Sequence, residues 1–244
     1  MYQNFIKPLF FDVRKFILDT LFPITCLACE REGLFICPDC QSLLTKLEHQ
    51  RCIACQKPTP FGLTHPKCQT PHGADGLISF YDYHDKKVAN IIIKGKYNFL
   101  PTVFATLGKI IATKLSQQYP NILISKNIYR LVPIPLSRFR LRWRGFNQAE
   151  ILCQAISQEL GLAITPALIR KKLTKTQKDL KKEARQKNIQ GAFAISKYLN
   201  IPISNKNFIL VDDVTTTGAT LQEAAAVLKR NGANQVICLT VARD

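Results

Sequence analysis

The stretch FILVDDVTTTGAT, Phe208 to Thr220, decides how the C-terminal part of the chain folds. Four apolar residues run directly into two adjacent carboxylates, Asp212 and Asp213, and then into a turn of threonines and glycine. The apolar run predicts a buried strand, and the segment GATLQEAAAVLKRNGA after it predicts a helix closed by Gly232. A turn placed between such a strand and helix can hold an anion at the positive end of the helix dipole.

The residue types in this turn narrow the kind of ligand. Gly218 permits close approach of the backbone, while Asp212 and Asp213 only accept hydrogen bonds and suit sugar hydroxyls or magnesium-bound water. Hydroxyl donors come from Thr215, Thr216, Thr217 and Thr220. Phosphate donors beside hydroxyl acceptors predict a ribose 5-phosphate site. The alternative, an aspartate that only caps the next helix, explains one carboxylate but hardly two and four threonines.

Strand and helix patterns alternate from Gly76 onward, which predicts an α/β fold with a parallel sheet flanked by helices. Ligands in such sheets bind at the carboxyl ends of the strands. We therefore expect the aspartates to meet the arginine-rich loop that follows the short strand IYRLVPIP. The chain has neither G-x-x-x-x-G-K-[ST] nor G-x-G-x-x-G, which argues against an ordinary ATP-hydrolysing loop and a dinucleotide-binding turn.

Seven of the nine cysteines lie between Cys26 and Cys68, at spacings typical of zinc ligands. The predicted ligands form two tetrads: Cys26, Cys29, Cys37 and Cys40, then Cys52, Cys55, His65 and Cys68. Four protein ligands make a closed structural site. The alternative is a disulfide framework, which requires an oxidising compartment that nothing else in the sequence indicates. Zinc ribbons can interleave their ligand pairs, so the pairing and the number of sites stay open.

Charge divides the chain into two parts, predicted as domains over residues 1–75 and 76–244. The first carries 8 Lys/Arg against 7 Asp/Glu, and the second carries 26 against 10, so it supplies +16 of the net +17. Such a domain attracts polyanions, for which nucleic acid, nucleotides or phosphorylated metabolites are candidates. No apolar run is long enough for a spanning helix, and the N-terminal segment lacks a signal-peptide core. We expect a cytoplasmic protein without membrane insertion.

FILVDDVTTTGAT resembles the signature of type I phosphoribosyltransferases, which bind phosphoribosyl pyrophosphate (PRPP) with Mg²⁺. Together with LFPITCLAC, the cysteine pairs, KGKY, VPIPLSRFRLRWRGFNQAE and QGAF, it is similar to the ComF (ComFC/GntX-like) family of competence proteins. The resemblance implies a double zinc ribbon before a phosphoribosyltransferase-like domain, with catalytic roles for Asp212, Asp213 and Arg144. It implies PRPP binding by Lys96, Arg144, Gly145, Asp212, Asp213, Val214, Thr215, Thr216, Thr217, Gly218, Ala219 and Thr220.

Two basic segments are candidates for binding single-stranded nucleic acid. RFRLRWRGFNQ sets arginines on alternate positions around Phe139 and Trp143, so that arginines contact phosphates and aromatic rings stack on bases. A second run spans residues 170–188; it is an equally ordinary pattern for a solvated face, and its place resembles the loop that closes over PRPP in related enzymes. The predicted nucleic-acid ligands are Arg138, Arg140, Arg142, Trp143, Lys171, Lys172, Lys175, Lys178, Lys181, Lys182 and Arg185.

Three functions fit these observations. The first is a role in natural transformation, with PRPP bound and single-stranded DNA held on the basic face. By resemblance it would act with a ComFA-like helicase and other DNA-uptake proteins at the cytoplasmic side of the inner membrane. The second is a phosphoribosyltransferase with an unknown acceptor, and the third is a zinc-dependent adaptor.

Overall fold

The computed structural model describes residues 23–120, 129–171 and 189–244. The strands are β1 Gly76–Asp82, β2 Tyr129–Pro133, β3 Ala163–Ile164, β4 Leu168–Arg170, β5 Phe193–Ile195, β6 Asn207–Thr215 and β7 Gln235–Arg243. Five of them form a sheet in the order β1-β7-β6-β2-β3, and every pairing in that sheet is parallel. The strands β4 and β5 pair antiparallel beside it. The predicted parallel sheet flanked by helices is confirmed.

The helices begin and end at signals visible in the sequence. They are α1 Pro38–Ser42, α2 Lys86–Tyr97, α3 Pro101–Gln118, α4 Arg138–Arg144, α5 Gln148–Leu160 and α6 Ala219–Arg230. The side chains of Asp85 and Asn147 cap α2 and α5 by accepting hydrogen bonds from backbone N–H groups. Helix α5 ends at Gly161, whose φ of 71° is the left-handed conformation that glycine adopts without strain. Among the described residues, no helix is both long and apolar enough to cross a membrane.

The central strand β6 is buried on both faces, which explains its continuous apolar sequence. Ile209 and Val211 face the side covered by α2, α3 and α5. Phe208 and Leu210 face the opposite side, where they pack with α6. Because a strand in this position is hydrogen-bonded and covered over its length, its carboxyl end is held at one place on the sheet edge.

The arginine-rich segment is a helix, α4, and not the loop expected from the sequence. Ser137 caps its first turn and Gly145, at φ 77°, ends it. Residues four apart share one face of a helix. The alternating arginines therefore fall into two pairs on different faces, and they do not all lie along one nucleic-acid backbone. Arg140 and Arg144 point toward the protein, where Arg144 is only 9% exposed, while Arg138 and Arg142 are exposed on the other side.

Candidate functional site

The paired carboxylates lie at the carboxyl end of β6, between the neighbouring strands β2 and β7. Asp213 is buried, and its backbone N–H donates to Oδ1 of Asp212 over 2.8 Å. Successive side chains of a strand point to opposite faces, so the two carboxylates serve different surroundings. The expected position of both aspartates, at the ligand-binding edge of a parallel sheet, is what the structure has.

Two cations approach Asp213 from different helices. Lys96, near the C-terminal end of α2, forms an ion pair with its Oδ2 atom, and both side chains are largely buried. Arg144 ends α4 and interacts electrostatically with the same carboxylate, while burial lowers the pKa of its guanidinium. The buried Nε of Arg144 has no hydrogen-bond partner among the described residues. A buried, unpartnered N–H is costly, and an anionic oxygen bound here would satisfy it.

The threonine-glycine turn leads from β6 into α6 as predicted. Gly218 stands at the helix N-cap with φ 78°, and its carbonyl accepts from the backbone N–H of Gln222 over 2.8 Å. The turn and the first residues of α6 surround a small concavity of about 60 Å³. Its lining comprises Asp212, Val214, Thr215, Thr216, Thr217, Gly218, Ala219, Thr220 and Leu221. Backbone N–H groups at a helix N-terminus and threonine hydroxyls together form a cradle suited to a phosphate.

Asp212 carries an unusual charge state. Burial, followed by the neighbouring Asp213 carboxylate, raises the pKa of Asp212 from 3.8 to about 8, and Lys96 only partly opposes this. The ionised form of this carboxyl group is therefore disfavoured at the position that it occupies. Such perturbation is common at functional sites, where ligand binding rather than stability determines the residue.

We predict that Asp212→Asn raises the stability of the unliganded protein at alkaline pH. From pH 3.8 to about 8 the folded protein retains a proton that the unfolded chain releases. Wild-type stability therefore falls as pH rises through this window, and the asparagine variant should escape that loss. The difference should be near zero at pH 4 and about 1 to 3 kcal/mol at pH 8. Urea unfolding of both proteins at pH 4 and pH 8 measures this difference in stability. If the difference is the same at both pH values, the raised pKa of Asp212 is wrong.

Arg170 is a site residue that the sequence did not single out, because it opens a basic run that is typical of a solvated face. It ends β4, where its guanidinium lies over the ring of Phe193 at 5.5 Å from the centroid. Burial and the nearby Arg140 lower the pKa of Arg170, while Asp212 raises it. Arg170 therefore adds positive charge beside Asp212, as Lys96 and Arg144 do beside Asp213.

Trp143 belongs to an exposed cluster of three rings. Tyr97 and Phe99 pack edge-on against it, at centroid distances of 5.7 and 5.4 Å, and all three side chains are about half exposed. The guanidinium of Arg144 lies 5.8 Å from the ring of Trp143, so the cluster adjoins the carboxylate site. Tyr97 and Phe99 were missed from the sequence; their only signal is that they follow Lys96 at the end of a predicted helix.

The predicted metal ligands gather into two sets in chain order, which resolves the open pairing. The first set is Cys26, Cys29, Cys37 and Cys40, and the second is Cys52, Cys55, His65 and Cys68. Within each set all four ligand atoms lie within 4.8 Å of one another. The ligand pairs do not interleave, so the described ribbons contain two separate sets of ligands suited to zinc.

The donor atoms fit tetrahedral zinc. Cys29 and Cys37 bring their sulfurs to 3.7 Å, and Cys55 Sγ lies 3.3 Å from Nδ1 of His65. The other ring nitrogen of His65, Nε2, is 3.0 Å from the carbonyl of Pro58 and can donate to it, which leaves Nδ1 free to bind metal. With four protein ligands, each site is closed to water and can serve structure but not metal-centred catalysis.

Comparisons with known proteins agree with this architecture. A double zinc ribbon model matches residues 17–69, and a phosphoribosyl transferase domain model matches residues 147–244. The chain is 30% identical to the DNA utilization protein YhgH of Escherichia coli K12 over 225 residues, covering 88% of this chain and 87% of that protein. It is 28% identical to competence protein ComFC of Bacillus subtilis over 204 residues, covering 81% and 79%. The chain belongs to the ComF family.

Among solved structures, this ComF-family chain is similar to a hypoxanthine phosphoribosyltransferase from Staphylococcus aureus. The identity is 15% and the TM-score 0.35, over 58% of this chain and 63% of the other.

Of the basic residues expected to bind nucleic acid, Arg138, Arg142 and Lys171 are exposed. The others in the second run lie outside the described residues, namely Lys172, Lys175, Lys178, Lys181, Lys182 and Arg185.

Proposed function

We propose that this ComF-family protein binds PRPP with Mg²⁺ and takes part in natural transformation by holding incoming single-stranded DNA. One observation carries the first half of the proposal: a carboxylate pair, a threonine-glycine cradle, the buried Arg144 and the partly buried Lys96 converge at one edge of a parallel sheet. These are the acceptors and donors that a ribose, its 5-phosphate and a pyrophosphate require. We propose that residues 1–75 form a zinc-ribbon domain and residues 76–244 a phosphoribosyltransferase-like domain.

Each group has a role in this proposal. Asp212 and Asp213 accept hydrogen bonds from the two ribose hydroxyls, and the turn from Thr215 to Thr220 binds the 5-phosphate. Arg144 and Lys96 contact the pyrophosphate, whose oxygens satisfy the unpartnered Nε of Arg144. The Mg²⁺ that accompanies PRPP would neutralise part of the phosphate charge, with water as most of its ligands.

A transferase activity is the second candidate, favoured by the cations around the leaving group. In that reaction the bond from C1 to the pyrophosphate oxygen breaks, the pyrophosphate keeps the electron pair, and a nucleophile forms the new bond at C1. In this proposal Arg144 and Arg170 would stabilise the departing charge, which is commonly the largest contribution to such a rate. Pyrophosphate release from PRPP in a cell extract would identify the acceptor.

The DNA-binding half rests on the outer face of α4 and on the names of the relatives. Arg138 and Arg142 present two exposed cations beside the exposed rings of Trp143 and Phe139. Backbone phosphates bind such cations, and bases stack on such rings without regard to sequence. We propose that a strand lies along this face while the protein acts with a ComFA-like helicase in the cytoplasm, at the inner membrane.

The PRPP assignment is tested by isothermal titration calorimetry of the wild-type protein. PRPP in the presence of Mg²⁺ should bind saturably, ribose 5-phosphate should bind more weakly because it lacks the pyrophosphate, and free ribose should not bind. A wild-type protein that releases no heat with PRPP, yet retains its zinc and its fold, would favour the zinc-dependent adaptor.

For DNA, we predict that the affinity for a fluorescent oligothymidine depends steeply on salt and on α4. Each phosphate neutralised contributes about 0.7 to the slope of log K against log salt for a single strand. Arg138→Ala combined with Arg142→Ala should therefore reduce that slope by about 1.4. Lys109→Ala combined with Lys114→Ala, on α3, is a matched control with the same loss of charge. Fluorescence anisotropy across a salt series measures both; equal slopes in the two double variants would refute a specific strand path on α4.

A further inference from the structure

The second zinc knuckle lies directly against the turn that we assign to the 5-phosphate. A Cβ atom added to Gly218 would lie 2.8 Å from Cγ1 of Ile53 and 3.4 Å from its carbonyl oxygen. Nε2 of Gln56 donates to the carbonyl of Thr217 over 3.4 Å. Ile53 lies between the ligands Cys52 and Cys55, and Gln56 follows directly after them. The backing of the turn is therefore supplied by a metal-binding loop about 160 residues away in sequence.

Arg243, at the end of β7, ties the same knuckle to the other side of the turn. This buried guanidinium donates to the carbonyls of Arg51 at 2.7 Å and Cys52 at 3.5 Å, and to the side chain of Gln56. Its backbone is paired with Thr215 in the sheet, where the turn begins. Gln56 is thus held between Arg243 and Thr217, and it joins the start of the turn to its end.

The conformation of this knuckle depends on its metal site. Gln56 has a φ of 65°, a left-handed conformation that is uncommon outside glycine. Hydrogen bonds from the backbone N–H of Gln56 to Cys52, and from that of Cys52 to Lys57, close the loop around the ligands. A metal bound to Cys52 and Cys55 would hold the loop in this shape, and therefore would hold Ile53 and Gln56 against the turn.

The first zinc set packs elsewhere. Its knuckle contacts α2, where Nζ of Lys94 donates to the carbonyl of Leu27 over 3.2 Å, and Leu27 joins the core on the α2 and α3 side of the sheet. The two sites therefore have different neighbours although their ligand loops are alike, since Glu30, the counterpart of Gln56, is also left-handed at φ 63°.

We propose that the second zinc knuckle is a positioning element of the phosphate-binding turn, acting through Ile53, Gln56 and Arg243. The identity of the ligand in this inference rests on the proposed PRPP site. The contact by which the knuckle positions the turn does not depend on it. The knuckle fixes the backbone of Thr217 and Gly218 before ligand arrives, so that less ordering is required on binding. Loss of its contacts should loosen the turn and weaken phosphate binding while both zinc ions stay bound.

A pair of glutamine variants tests this. Gln56→Ala removes the contacts with Thr217 and Arg243, whereas Gln50→Ala removes two hydrogen bonds between the same ribbon and Ser79 on β1. We expect Gln56→Ala to weaken PRPP binding about 5- to 10-fold, from the usual contribution of one hydrogen bond and some loss of order, and Gln50→Ala by less than about 2-fold. Both should retain the zinc content of the wild type, measured by mass spectrometry of the metal.

Hydrogen exchange of the unliganded proteins gives a second measurement that needs no PRPP. Peptides covering residues 211–221 should exchange faster in Gln56→Ala and in Ile53→Ala than in the wild type or in Gln50→Ala. If all four proteins exchange alike in these peptides, the positioning role is wrong, whatever their affinity for PRPP. If the wild type does not bind PRPP but the exchange difference is present, the proposed ligand fails and the coupling stands.

Discussion

Replacing Asp212 and Asp213 together with asparagine should weaken PRPP binding about 100-fold, because the charged acceptor Asp213 is lost at about 1.5 to 3 kcal/mol and the acceptor Asp212 at about 1 kcal/mol or more. Asparagine keeps one acceptor oxygen, but its NH2 group only donates where the second carboxylate oxygen accepted, and the side chain carries no charge. The change also leaves Lys96 without the carboxylate to which it is paired in a largely buried place. Calorimetry with PRPP and Mg²⁺ measures the loss.

A matched control separates the site from the fold. Asp75→Asn also removes a carboxylate with an ion pair, here with Lys229, but Asp75 precedes β1, at the amino end of the sheet. We expect it to leave PRPP affinity unchanged even if it lowers stability. Adding Lys96→Met to Asp213→Asn should restore part of the stability that the single change loses, since the uncompensated buried charge is removed, but not the binding. Undiminished PRPP affinity in the double asparagine variant would show that the aspartates do not hold the ribose.

Removing one zinc site should have the second large effect. The wild type should carry two zinc ions per chain, and Cys37→Ser combined with Cys40→Ser should carry one. Leu27, Ile36 and Leu44 of the first ribbon pack into the core beside α2 and α3, whereas the ribbon's own buried cluster consists of three ligands, Cys26, Cys37 and Cys40, so its local folding depends on metal. We expect the transition temperature to fall by roughly 10 °C, which corresponds to about 3 kcal/mol or more for a chain of this size.

Metal analysis and differential scanning calorimetry test this expectation together. Cys153→Ala is the control, because Cys153 is fully buried in the core and belongs to neither ligand set. It should lower stability modestly and keep two zinc ions. A wild type that binds one zinc, or a double serine variant that still binds two, would contradict the two separate sites.

Much of the fold follows from local patterns. The burial of β6 on both faces follows from its continuous apolar run, and the start of α6 follows from Gly218, because these depend on neighbours within a few residues. The four-residue C-x2-C spacing likewise identifies zinc ligands without any knowledge of the fold. The arginine segment is the exception: its period of two suggested an extended path, but Ser137 and Gly145 cap it as a helix.

What the sequence by itself determined is the chemistry of the site: carboxylates, hydroxyls and backbone N–H groups in one strand, turn and helix, and zinc ligands in the ribbons. Which distant groups join them was decided only by tertiary structure. Lys96 meets Asp213, Arg170 approaches Asp212, and Gln56 reaches Thr217 because packing on both faces of the sheet brings α2, β4 and the second knuckle to one edge. Such contacts link residues far apart in the chain, so the spacing of residues within a short segment does not predict them.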